Sequence, residues 1–170
     1  MIKVNWNIYF MSIAIVVAQR SIDPSTKVGC VVINEEKSIL TTGYNGPPRG
    51  MDDSNIPLYG NEKYNYFSHA EINSIANAAR HGISLRNSTF YVTTPPCDVC
   101  FRSIINCGVK RVIYGPIPTG HDSKYNFDIT KRMASESKIE LLSLKEVYVD
   151  IKGCINQLEK SIKYINDKIS

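Results

Sequence analysis

His69-Ala70-Glu71-Ile72-Asn73 and, further along, Thr94-Pro95-Pro96-Cys97-Asp98-Val99-Cys100 are the two stretches that decide how this chain reads. His69, Cys97 and Cys100 offer one imidazole and two thiolates, a set that suits a zinc ion. Three protein ligands leave the fourth tetrahedral position to water, the mark of a catalytic rather than a structural zinc. Glu71 is not needed to hold the metal, so its carboxylate is left beside that water. Both stretches fall where a helix should begin. Cys97 and Cys100 are three apart and share a helical face. Free N–H groups and the positive dipole end there favour thiolates. His69 and Glu71 are two apart and would diverge on a regular helix. They meet at one site only if His69 stands at the very start, with Ser68 as the cap.

Working outward, the helix from His69 or Ala70 runs to about Arg80 and stops at Gly82. Thr89–Thr93 reads as a strand. Pro95-Pro96 ends it and sets up a helix from Cys97 to about Cys107, closed by Gly108. Arg111–Tyr114 is the next strand, then a helix over Phe127–Ser137 and a strand over Ile139–Leu144. Upstream, Trp6–Arg20 is a helix too apolar for an exposed surface, broken at Asp23-Pro24-Ser25. Val28–Ile33 and Ser38–Tyr44 are strands joined by a short polar link, hence a hairpin. Met51–Phe67 has no periodicity, and an aperiodic segment of that length in a compact domain is usually functional or flexible. From about 150 to 169, apolar residues at Ile151, Cys154, Ile155, Leu158, Ile162 and Ile165 predict a long amphipathic helix. The expected fold is α/β: a three-layer α-β-α sandwich over one domain, residues 1–170.

Composition is that of an ordinary globular protein, 43% apolar and 21% charged, with a net charge of +4. No segment is long enough to span a membrane, and no signal peptide is evident, so a cytoplasmic protein is expected. Five cysteines, two of them in C-x-x-C, favour metal or catalysis over disulfides in a reducing compartment. Cys30, Cys107 and Cys154 read as buried thiols. The mild charge suits an anionic small molecule and lacks the basic stripe of a nucleic-acid binder.

Alone, C-x-x-C fits a redox pair or half a structural site, and a lone histidine at a helix start is ordinarily solvated. Their combination with Glu71, Pro96 and a helix-strand-helix order selects the catalytic zinc. H-x-E followed by P-C-x-x-C resembles the zinc deaminase signature, in which an activated water attacks the carbon bearing an exocyclic amine. Two thiolates neutralise the Zn²⁺ charge, so the water needs a neighbouring base, and Glu71 is the candidate.

The resemblance extends further. Ala18-Gln19-Arg20-Ser21-Ile22-Asp23-Pro24-Ser25-Thr26-Lys27-Val28-Gly29-Cys30 and Gly43-Tyr44-Asn45-Gly46-Pro47-Pro48-Arg49-Gly50 resemble blocks of the deoxycytidylate deaminases, as do both zinc stretches. The likeness covers roughly residues 6 to 145 in matching order. It implies the cytidine deaminase fold with its central five-stranded mixed sheet, and hydrolysis of dCMP to dUMP and ammonia for thymidylate synthesis. It also implies one catalytic Zn²⁺ on His69, Cys97 and Cys100, with Glu71 as proton shuttle. Asn45 corresponds to an asparagine that binds the substrate sugar, and an amide both donates and accepts. Tyr125 and His121 stand where the family has a substrate-side loop.

Many members are hexamers, activated by dCTP, which travels with Mg²⁺, and inhibited by dTTP. For such an effector the resemblance points to Arg20, Ser21, Lys27, Asn45, Gly46 and Arg49, each of which alone reads as a tight turn or a solvated polar group. The chain departs from the family at Phe101, Ser74 and Met51. Met51 replaces a cysteine that in some members serves a second, structural zinc. A deaminase of 5-modified dCMP, a tRNA-type base deaminase and a non-catalytic zinc module remain as alternatives.

Overall fold

The computed structural model describes residues 4–117, 125–147, 159–160, 162–164 and 167–168. Helix α1 (Trp6–Ala18) leads into the hairpin of β1 (Gly29–Ile33) and β2 (Ile39–Tyr44). Helix α2 (Ala70–Arg80), β3 (Thr89–Val92), α3 (Asp98–Asn106) and β4 (Arg111–Tyr114) follow. Helix α4 (Phe127–Ser137), β5 (Glu140–Ser143) and one helical turn (Leu144–Val147) complete the described order. The five strands form one mixed sheet, β2-β1-β3-β4-β5. β1 pairs antiparallel with β2 and β3, while β3-β4 and β4-β5 are parallel.

Strand alternation splits the core in two. Cys30, Val32, Phe90, Val92 and Val112 face the side covered by α2, α3 and α4, where they meet Ala70, Phe101, Ile104 and Ala134. Val31, Ile33, Tyr91 and Ile113 face the other side and pack on Ile8, Phe10, Met11 and Ala14 of α1. The expected three-layer α-β-α sandwich is therefore what forms. Central β1 is buried at every position, as its unbroken apolar run implies.

One close approach sets the site. A Cβ on Gly43 of β2 would lie 2.3 Å from the Ala70 carbonyl oxygen and 2.4 Å from the Ser74 nitrogen. The first turn of α2 thus rests directly on the backbone of β2. Asn73 and Asn77 secure it, donating at 2.8 Å to the carbonyls of Tyr44 and Thr42.

Three expectations are corrected or bounded. Ser68 does not cap α2: His69 is the cap residue. Ser68 instead forms a two-bond bridge with Gly46, its N–H donating to Gly46 O at 2.9 Å and its carbonyl accepting from Gly46 N at 3.0 Å. The aperiodic segment 51–67 has no long element and holds two short 3-10 turns, Asp53–Asn55 and Glu62–Asn65. In the terminal helix expected over 150–169, residues 159–160, 162–164 and 167–168 are helical, and the rest lie outside the described residues. No helix among the described residues is long and apolar enough to cross a membrane.

Candidate active site

Two helix starts, those of α2 and α3 on the same face of the sheet, build the site. His69 holds extended dihedrals (φ −71°, ψ 157°) as the cap of α2, so its ring leaves the helix before the helical twist begins. Glu71 lies in the first turn of the same helix and is 3% exposed. The expectation that both side chains can serve one site only from the helix start is met. Cys97 caps α3, and its Sγ accepts from the Cys100 N–H at 3.4 Å. The oxygen of an ordinary cap residue is here replaced by sulfur.

The His69 Nδ1 is 3.5 Å from Cys97 Sγ and 3.3 Å from Cys100 Sγ. All three donor atoms lie within 4.8 Å of one another, and among the described residues this is the one such cluster. With ordinary zinc bond lengths, a tetrahedral N–S edge is about 3.6 Å. The donor set therefore fits zinc in identity and in spacing. A hydrogen bond from Cys100 pulls the Cys97 thiol down to about 4, against burial and with help from His69. Cys100 is pushed up by that same hydrogen bond and by burial. The pair is thus biased toward thiolate at Cys97 and thiol at Cys100, and a bound metal would need both as thiolates. Burial pushes the Glu71 carboxyl up to about 7, while the His69 charge pulls the other way. A carboxyl poised near neutrality can both take and give a proton.

A cavity of about 290 Å³ opens onto these groups. Its wall includes Thr26, Asn45, Lys63, Phe67 and Tyr125 besides His69, Glu71 and Cys97. Tyr125 is half-buried, with its ring edge-on to His69 at 6.2 Å between centroids. Asn45 is buried, and its amide is tied to the chain: Oδ1 accepts from Val28 N–H at 2.8 Å, and Nδ2 donates to Thr26 O at 2.8 Å. His121 lies outside the described residues.

A second cavity, about 690 Å³, is lined by Arg20, Ser21, Lys27, Arg49, Asn73 and Arg80 among others. It gathers four of the residues expected to meet an effector. Asn45 borders the first cavity instead, and Gly46 is engaged in the bridge to Ser68, which itself borders both cavities. Cys30 is buried in the core, its thiol pushed up by burial and accepting from Ser74 Oγ at 3.4 Å. Cys107 is half-buried at the end of α3, and Cys154 lies outside the described residues.

Lys63 is the residue that sequence reasoning missed. It is 4% exposed, and its ammonium binds Asp23 at 3.0 and 3.2 Å and Ser25 Oγ at 3.3 Å. A lysine in an aperiodic polar stretch gives no sign of burial. Its one signal was the unusual length of the segment around it.

The family model for the cytidine and deoxycytidylate deaminase zinc-binding region matches residues 4–116. A mouse deoxycytidylate deaminase is 39% identical over 115 residues, covering 64% of this chain and 64% of the mouse protein. The chain thus spans just under two thirds of that relative. A probable deoxycytidylate deaminase of Drosophila melanogaster is 32% identical over 147 residues, 80% of this chain and 70% of the fly protein. The crystal structure of a dCMP deaminase from the cyanophage S-TIM5, in complex with dCMP and dUMP, superposes with a TM-score of 0.70 at 26% identity, covering 85% of this chain and 100% of the phage chain. With a family model matched over residues 4–116, a shared overall fold and a zinc-competent donor set, this chain belongs to the cytidine and deoxycytidylate deaminase family.

Proposed function

We propose that the chain hydrolyses dCMP to dUMP and ammonia and so supplies dUMP for thymidylate synthesis. The observation that carries this reading is the buried Glu71 carboxyl at the head of the helix that His69 caps. His69, Cys97 and Cys100 hold the zinc, which when bound supplies Lewis-acid activation of water. Glu71 accepts the proton of the attacking water and delivers it to the pyrimidine ring nitrogen. It then carries a second proton to the departing amine, so that water and dCMP leave as ammonia and dUMP. Glu71 is 3% exposed at the wall of the first cavity, and Tyr125 stands beside His69 in the same wall. The phage relative crystallised with dCMP and dUMP supports a mononucleotide as the substrate.

Regulation belongs to the same proposal. The cationic lining of the second cavity suits a nucleoside triphosphate, with dCTP, accompanied by Mg²⁺, as activator and dTTP as inhibitor. Ser68 borders both cavities and immediately precedes His69, a short path from effector to zinc ligand. Helix α1 supports a homo-oligomer, a hexamer on the family pattern: it is apolar all round, and its outer face exposes Tyr9, Ile15 and Val16, the last at 66%.

The test is ammonia release from dCMP by zinc-loaded protein, titrated with dCTP and dTTP, alongside 5-substituted dCMP and a tRNA stem-loop. Turnover of dCMP is expected. Failure to turn it over, with and without dCTP and Mg²⁺, would falsify the assignment, and faster turnover of a 5-substituted form or of the RNA would move it to that substrate. Sedimentation of the same sample should give a hexamer mass, and a monomer mass would remove the α1 interface.

A further inference from the structure

We propose that the buried Lys63–Asp23 ion pair is the positioning device of the substrate wall in the first cavity, which rests on the deaminase reading above. The pair is unusual in its setting. A buried ion pair gains little stability over apolar packing, because desolvation of both ions offsets their attraction. Its side chains are 5% and 8% exposed, and it sits at the cavity that opens onto Glu71 rather than in the apolar core.

The hydrogen-bond inventory shows what the pair does. An ammonium has three N–H donors. Those of Lys63 go to Asp23 Oδ1 at 3.0 Å, Asp23 Oδ2 at 3.2 Å and Ser25 Oγ at 3.3 Å. None is left for a substrate phosphate, so Lys63 acts through its partners. Asp23 Oδ1 accepts in addition from the N–H groups of Ser25 at 2.8 Å and Thr26 at 3.2 Å, which folds residues 23–26 into a turn. Asp23 Oδ2 accepts from Asn45 Nδ2 at 3.4 Å.

This last contact, with the Thr26 carbonyl, fixes the face of the Asn45 amide. Both Nδ2 hydrogens are spent on Thr26 O and Asp23 Oδ2. Oδ1 accepts one bond, from Val28 N–H at 2.8 Å, and retains a lone pair. A flipped amide would set oxygen against oxygen and N–H against N–H. Asn45 therefore meets a sugar hydroxyl as an acceptor only, which narrows the donor-and-acceptor role expected from its side chain alone. Lys63 also anchors the far side: it lies in the 3-10 turn Glu62–Asn65, six residues before His69. One ion pair thus joins the turn before β1, the Asn45 loop and the approach to α2.

The test separates positioning from simple stability. A buried charge left alone can unfold a protein, so Lys63→Met is made beside the neutral pair Asp23→Asn with Lys63→Met, in which the amide oxygen still accepts from Ser25 and Thr26. KM does not depend on how much of the sample is folded, whereas apparent kcat does. Displacement of the Asn45 wall should raise KM for dCMP about tenfold in the neutral pair, with one zinc retained per chain and kcat per zinc little changed. Lys63→Arg, which keeps the charge, should recover part of that loss. A parent-like KM in the neutral pair, with only the melting temperature lowered, would overturn the proposal. Parent protein that fails to turn over dCMP would instead sink the deaminase reading, so the two failures are distinct.

Discussion

The two cavities share Ser68 in their walls and are built on opposite principles. Around the first, Glu71, Cys97, Asn45, Asp23 and Lys63 are all buried, and hydrogen bonds at 2.8 to 3.5 Å fix the ligand ring, the sulfurs and the amide. Around the second, Arg20, Lys27, Arg49 and Arg80 stand in water at the ends of flexible side chains. Chemistry needs groups held in place before the substrate arrives, since preorganised charge costs no rearrangement during reaction. Capture of a polyanion needs charge within reach, and a mobile cation serves. The buried charged groups, Asp23, Lys63 and Glu71, each costly to desolvate, all line the first cavity and none lines the second.

The strongest way to break this contrast is at Glu71. Glu71→Gln keeps the shape and leaves the three metal donors untouched, so zinc should stay at one per chain while kcat falls about a thousandfold. Metal analysis and ammonia release on one sample check both numbers. Cys100→Ser should lose zinc and activity together. Activity that survives in Glu71→Gln would remove the carboxyl from proton transfer and leave the first cavity without its defining group.

A second test strikes the scaffold rather than the chemistry. Gly43→Ala forces a methyl group into the space where the Ala70 carbonyl would be 2.3 Å away. The neighbours are backbone atoms and cannot turn aside, so α2 must lift from β2. A loss of roughly 3 kcal/mol in denaturant unfolding is expected, and zinc affinity should fall with it because His69 rides on the displaced turn. Unchanged stability and zinc affinity would show that α2 slides on β2 without moving its cap, and would loosen the claim that the first cavity is rigid.

How much of this was readable from the sequence follows the same division. The His/Cys/Cys cluster was legible because each half occupies a few consecutive residues at a helix start, where local periodicity and capping chemistry suffice. The hairpin and the parallel strands were legible for the same local reason, a β-branched or alternating run between turn signals. Ser68 was misread because its true partner, Gly46, is brought to it by folding, and a bridge between distant backbones leaves no mark in side-chain identity. Lys63 was invisible on similar grounds. Its burial is decided by Asp23, forty residues away, and a lysine read alone is a surface residue. For Arg20, Ser21, Lys27 and Arg49 the sequence supplied the polar and charged groups, while their arrangement round one hollow needed the fold.

The smallest expected effect tests the second cavity on its own terms. Arg49 is exposed and, among the described residues, donates to Asn77 Oδ1 at 3.1 Å. If it serves as a loosely held anion contact, Arg49→Ala should raise the dCTP concentration for half-activation about two- to fivefold, the scale of one solvent-screened charge. Raising salt should shift the parent curve in the same direction, because exposed charges are screened within a Debye length of about 10 Å at 0.1 M. An unaltered dCTP titration would confine Arg49 to its tie with Asn77 on α2. It would also make the second cavity resemble the first, with a cation that serves the scaffold rather than a ligand.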